Sequence, residues 1–185
     1  EKLLNKIGSY PNSSIQAYSL VTFISGLASL FAWSFGLIVG GIIAKFVAIG
    51  CQKKKIKVHY PLLVASAYSG YVIWHMGYSS SAALFVASEN HPLQSEIGII
   101  PVTQTIFTNF NISLALITLF IITIVSPLMR PTNEKEIIQV DTKKFKKNKI
   151  TVTNNFRSMA QVIENNRLIS FFTGFSLLFF VLHTF

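Results

Sequence analysis

The sequence predicts an all-α membrane protein, a polytopic helical bundle with a re-entrant hairpin and a broken transmembrane helix, and three observations carry that prediction. The first is composition: 51% of the residues are hydrophobic and only 12% are charged, where a soluble domain has about a quarter of its residues charged. The second is the placement of the charges. No Asp, Glu, Lys or Arg occurs between Lys6 and Lys45, between Lys57 and Glu89, or between Glu96 and Arg130. Each gap exceeds the roughly 20 apolar residues that a helix needs to cross a bilayer. The third is that polar, glycine-containing runs interrupt the gaps where an amphipathic soluble helix would show a charged face.

The first apolar segment, residues 15–51, has 37 residues. A single helix of that length would run about 55 Å, well past a hydrocarbon core of about 30 Å. It must break, and Ala32-Trp33-Ser34-Phe35-Gly36 is the natural place. Flanks of about 16 residues are short for a full span and suit a re-entrant hairpin. The competing reading is one kinked spanning helix.

The second segment, residues 60–88, is crowded with small and hydroxyl side chains, which let membrane helices approach closely. Its stretch Trp74-His75-Met76-Gly77-Tyr78-Ser79-Ser80-Ser81 makes poor lipid-facing helix. An interruption of that kind lines a cavity or a path. The third segment, residues 97–129, is polar as far as Asn109 and Asn111 and almost purely apolar from Ile112 to Leu128. A basic loop follows at 130–167, with a weak amphipathic patch at 156–163, and a further apolar run begins at Leu168.

Mapping the net charge of +9 orients the bundle. Lys53, Lys54, Lys55 and Lys57 form one basic cluster and the stretch from Arg130 to Arg167 the other. Short Lys/Arg-rich loops stay in the cytoplasm, so 52–57 and 130–167 are expected there. The acidic loop 89–96, which has no Lys or Arg, is expected outside. No nucleic-acid partner is expected, because Phe145 and Phe156 are too few aromatics among the basic residues. The lone Cys51 excludes an intrachain disulfide and a multi-cysteine metal site. The chain starts at Glu1 and stops inside an apolar run, which reads as an internal fragment of a longer protein.

Two ionisable residues fall inside the apolar segments, Lys45 and His75. Lys45 is near a basic end and can snorkel. For His75 a satisfied core imidazole and a direct ligand or proton role both stay open. Helix N-termini at the two breaks would offer partial positive charge and unsatisfied N–H groups. With hydroxyls from Ser34, Ser79, Ser80 and Ser81 they could hold one carboxylate, while Trp33, Phe35, Trp74 and Tyr78 would wall a short acyl tail. Gly36 and Gly77 complete this candidate set. Enzymatic chemistry finds no support: the segments hold no paired carboxylates, no His/Cys/Asp/Glu cluster and no nucleophile elbow. No cofactor is expected.

The strings VTFISGLASLFAWSFGLIVGGIIAKFVA (21–48), YPLLVASAYSGYVIWHMGYSSSAALFVASENHP (60–92) and IGIIPVTQTIFTNFNI (97–112) resemble bacterial short-chain fatty acid transporters of the AtoE type. The resemblance covers residues 15–130 and implies uptake of acetoacetate- or butyrate-like monocarboxylates across the inner membrane, with H⁺, Na⁺ or no coupling ion left open. It further implies the first repeat of an inverted-repeat carrier, with Trp33–Gly36 as hairpin tip and Trp74–Ser81 as broken helix. A homo-oligomer of the full-length carrier is compatible with it. The chain departs from the family pattern at His75 and Ser80, where glycines are expected, and that departure bears on substrate preference. Two readings therefore stand: a carrier of short monocarboxylates or another small organic anion, and an inactive fragment of one.

Overall fold

The computed structural model describes residues 2–141 and 166–184. They fall into two units, 1–142 and 143–185, and among the described residues every regular element is helical. The first unit contains α1 (Lys2–Gly8), α2 (Ser14–Phe31), α3 (Trp33–Lys53), α4 (Tyr60–Ser69), a 3-10 helix (Gly70–Met76), α5 (Ser81–Ala87), α6 (Gln94–Ile97), a 3-10 turn (Val102–Gln104), α7 (Asn109–Leu128) and a 3-10 turn (Glu134–Glu136). The second unit contains α8 (Arg167–Thr184). The amphipathic patch at 156–163 lies outside the described residues.

Among the described residues three helices, α2, α3 and α7, are long and apolar enough to cross a membrane. α2 starts at a polar cap: the Gln16 N–H donates to Ser13 Oγ at 3.2 Å, and the Gln16 side chain returns to the Asn12 N–H at 2.8 Å. It ends at Ala32, whose φ of −155° and ψ of 137° turn the chain. α3 then runs back along α2, bringing Gly36 onto Ser29 and Gly40 onto Ser25. This reversal of the chain differs from the expected hairpin in two ways. Its tip is the single residue Ala32, and Trp33–Gly36 form the first turn of α3. Its arms have 18 and 21 residues, each about 27 Å or more at 1.5 Å per residue, where flanks of about 16 were expected. The reason is local: the Ala32 N–H still bonds to Ala28 and the Gly36 N–H to the Ala32 carbonyl, so only one residue leaves the helix.

α4 carries Pro61 in its first turn and tightens into the 3-10 helix at Gly70. There a side chain would strike α2, since a Cβ on Gly70 would lie 2.5 Å from the Gly26 nitrogen. A cluster of hydroxyls is buried among the apolar side chains of the core. Buried Thr22 Oγ1 donates to the Ser66 carbonyl at 3.1 Å and lies 3.1 Å from Ser126 Oγ. Ser25 Oγ donates to the Ala67 carbonyl, and Ser29 Oγ to the Ser25 carbonyl at 2.8 Å. The outward face is apolar: α7 exposes Leu116, Ile117, Phe120, Ile121, Ile124 and Leu128 and buries Ala115, Leu119 and Ser126. An interior of small, apolar and hydroxyl side chains behind an apolar outside suits lipid.

The two ends of the chain's basic loops meet. Lys54 Nζ donates to the Pro11 carbonyl and to Asn12 Oδ1, both at 2.9 Å. The Ile138 N–H donates to His59 Nδ1 at 3.1 Å and the Tyr60 N–H to the Ile138 carbonyl at 2.8 Å. The Lys57–Glu134 pair at 2.5 Å is exposed on both sides, so its contribution is small. Glu134→Gln is expected to shift stability by less than about 1 kcal/mol, read as an almost unchanged unfolding midpoint in detergent.

Candidate functional site at the joined breaks

The two chain interruptions, 46 residues apart, touch. The Tyr78 N–H donates to the Leu30 carbonyl at 2.7 Å, and the Trp33 N–H donates to Ser79 Oγ at 3.1 Å. Gly77 makes the approach possible, since a Cβ there would stand 2.1 Å from the Leu30 oxygen. A third tie comes from α7. Asn111 Nδ2 donates to the Met76 and Ile106 carbonyls, each at 2.8 Å. Asn111 thus satisfies the end of the 3-10 helix, whose last carbonyls have no partner within it.

Beside this junction lies an apolar cleft of about 470 Å³, lined by Leu27, Leu30 and Phe31 of α2, Met76–Tyr78 of the break, Ile106 and Phe107, and Ile112, Ala115 and Leu116 of α7. No Asp, Glu, Lys, Arg or His side chain lines it. Its lining is apolar apart from Tyr78 and the backbone of the second break, and Trp33 and Ser79 stand beside it, outside the lining.

The predicted residues divide. Trp33, Ser79, Tyr78 and Gly77 are drawn into the junction by the bonds above. Ser34 and Phe35 follow Trp33 in the first turn of α3 and are exposed. Gly36 is turned away from the cleft, onto Ser29 in the contact between α2 and α3. Ser80 is 3% exposed and its N–H is spent on the Gly77 carbonyl, whereas Ser81 opens α5 and is exposed. His75 is neither a buried core imidazole nor a cleft residue. It is exposed and packs its ring against Trp74, centroids 3.6 Å apart; Trp74 in turn stacks on Tyr71 at 5.6 Å.

Sequence reasoning missed Leu27, Leu30, Phe31, Ile106 and Phe107 as cleft residues, because apolar side chains in an apolar segment carry no mark. Asn111 was legible as a polar residue entering an apolar helix, but its partners were not. Among the described residues no group of three or more His, Cys, Asp or Glu side chains could hold a metal ion.

The family model for short chain fatty acid transporters matches residues 1–184. Two curated relatives carry the name "Putative short-chain fatty acid transporter". The one from Escherichia coli (strain K12) is 32% identical over 143 residues, covering 77% of this chain and 31% of that protein. The one from Haemophilus influenzae (strain ATCC 51907 / DSM 11121 / KW20 / Rd) is 35% identical over 140 residues, covering 71% of this chain and 30% of that protein. The chain spans about a third of the length of these relatives. No solved structure matches it.

Proposed function

Because the chain belongs to the short-chain fatty acid transporter family, we propose that it supplies part of the path by which a secondary carrier moves acetoacetate- or butyrate-like monocarboxylates across the cytoplasmic membrane. The observation that carries this reading is the junction itself: two helix breaks bonded to each other at the rim of an apolar cleft. At about 470 Å³ the cleft falls within the range of small-molecule sites, roughly 300–1,000 Å³. Its apolar lining suits a short acyl tail. The carboxylate would sit at the start of α3, whose N-cap residue, Ala32, offers no side-chain cap. There the first-turn N–H groups of Ser34 and Phe35 lack intrahelical acceptors and the helix dipole favours an anion. Ser79 and Ser81 add hydroxyls. Holding a monoanion by dipoles and hydroxyls, with no fixed cation, suits a carrier that must release its cargo.

The hairpin α2–α3 and the broken α4–α5 segment support a reading of this unit as the first repeat of an inverted-repeat carrier, with coupling to H⁺, to Na⁺ or to no ion left open. The contacts of Lys57 with Glu134 and of His59 with Ile138 put the first basic loop beside the start of the second, which supports a reading with 52–57 and 130–167 on the cytoplasmic side and 89–96 opposite. The test is uptake of labelled butyrate or acetoacetate by cells producing the protein. Ser79→Ala/Ser81→Ala is expected to lower uptake about tenfold, equivalent to about 1.4 kcal/mol, at equal membrane abundance. Unchanged uptake would remove both serines from the path.

A further inference from the structure

A second cleft, of about 440 Å³, opens at the basic end of the bundle and is polar where the first is apolar. Lys55, Lys57 and Arg130 line it with Ser14, Thr132 and Glu134, three cations against one acid. Lys57 is held by Glu134 at 2.5 Å, and Arg130 Nη1 donates to the Pro127 carbonyl at 3.1 Å. The cleft therefore keeps a net positive charge of two after the one pair is cancelled.

Lys55 occupies an unusual backbone position. α3 ends in a Schellman turn in which the Ile56 N–H bonds to the Cys51 carbonyl at 2.9 Å and the Lys55 N–H to the Gln52 carbonyl at 3.0 Å. Lys55 itself takes φ of 60°, which glycine adopts freely and a residue with a side chain adopts only with strain. A lysine sits where a glycine would be easier, and its place in the turn puts it on the wall of the cleft.

Depth selects the ligand. Arg130 follows directly on the apolar end of α7, where Leu128 and Met129 are 70% and 68% exposed, and Ile15, beside Ser14, is also exposed. Cations at the mouth of a cleft, with bare apolar surface one residue away, match a ligand that has an anionic head and acyl chains. We propose that this cleft binds the phosphodiester headgroup of an anionic phospholipid, with Lys55 and Arg130 as its charge partners and the Ser14 and Thr132 hydroxyls as added donors. Basic pockets between membrane helices on the cytoplasmic side are suited to such headgroups. The proposal rests on membrane residence and on which end is basic, and is independent of the transported substrate.

The experiment uses the purified protein in a neutral detergent, with phosphatidylglycerol, phosphatidylcholine and inorganic phosphate as separate probes. Bound lipid is counted by native mass spectrometry, and the unfolding midpoint is followed in parallel. Phosphatidylglycerol is expected to be retained and to raise the midpoint, phosphatidylcholine to do neither, and millimolar phosphate to leave the midpoint unmoved. Lys55→Gly relieves the strained φ, so it should fold at least as well as wild type while weakening phosphatidylglycerol binding about tenfold. Arg130→Gln should weaken it similarly. Equal retention of the two lipids, or of phosphatidylglycerol by wild type and Lys55→Gly, overturns the proposal. A midpoint raised equally by inorganic phosphate overturns the lipid assignment in favour of a soluble anion.

Discussion

Gly77→Ala should separate the two helix breaks and abolish most of the transport that depends on them. The added methyl would stand 2.1 Å from the Leu30 oxygen, 2.5 Å from its Cα and 2.6 Å from its carbonyl carbon. All three are backbone atoms, so no rotamer change relieves the clash. The effect is steric and not conformational: Gly77 has φ of −100°, a value that alanine adopts without strain. Overpacking of this kind typically costs about 1–3 kcal/mol. Relief requires the turn after Met76 to move off α2, which breaks the Tyr78–Leu30 bond at 2.7 Å and the Trp33–Ser79 bond at 3.1 Å. The expected readout is a lower unfolding midpoint and a loss of butyrate uptake of tenfold or more. Gly41→Ala is the control. Nothing lies within 4 Å of a Cβ at Gly41, and replacing a mid-helix glycine by alanine favours the helix by about 0.5–1 kcal/mol. It should leave uptake intact and the midpoint equal or higher. A Gly77→Ala protein that matches Gly41→Ala in both measurements would show that the breaks need not touch.

What the sequence revealed and what it concealed follow from the range of the interactions involved. Charge-free runs set α2, α7 and the first half of α3, because bilayer crossing is a property of a contiguous segment. The turn between α2 and α3 was predictable as a break but not as Ala32, because alanine is a strong helix former and its extended φ/ψ is imposed by the packing of the two arms. The buried hydroxyl network was harder still. Thr22, Ser25 and Ser29 share one helical face, which is visible in their spacing, yet Thr22's partners Ser66 and Ser126 lie 44 and 104 residues away and Ser25's partner Ala67 lies 42 away. Read alone, those hydroxyls look like small residues that let helices approach. The close approach of Gly8 to Gly50, where a Cβ on Gly50 would fall 1.9 Å from the Gly8 oxygen, docks α1 onto α3. No local pattern predicted α1, since its seven residues carry charge and little periodicity. The junction was legible as two polar interruptions, but their contact was not, because no feature of residue 33 names residue 79.

Asn111 offers the sharpest test of how that contact is held. Both partners of its Nδ2 are carbonyls, of Met76 and Ile106 at 2.8 Å each. The amide nitrogen must therefore face them, since an oxygen there would have nothing to accept. Asn111→Leu keeps the size and removes both donors, leaving two part-buried carbonyls unpaired, at a cost of about 1–3 kcal/mol for each buried group left unsatisfied. Asn111→Asp keeps the shape and reverses the chemistry, placing an acceptor, charged at neutral pH, against two carbonyl oxygens. Asp should therefore destabilise more than Leu, the opposite of what a simple loss of polarity would give. The two ties to the turn should also interact. Asn111→Leu and Ser79→Ala both loosen the 76–80 turn, so their combined effect on the midpoint is expected to be non-additive by about 0.5 kcal/mol or more. Asn111→Leu with Thr22→Val, whose hydroxyl serves Ser66 and Ser126 instead, should add within about 0.5 kcal/mol. An Asp variant no worse than Leu, with additivity in both pairs, would mean that Asn111 packs beside the break without holding it.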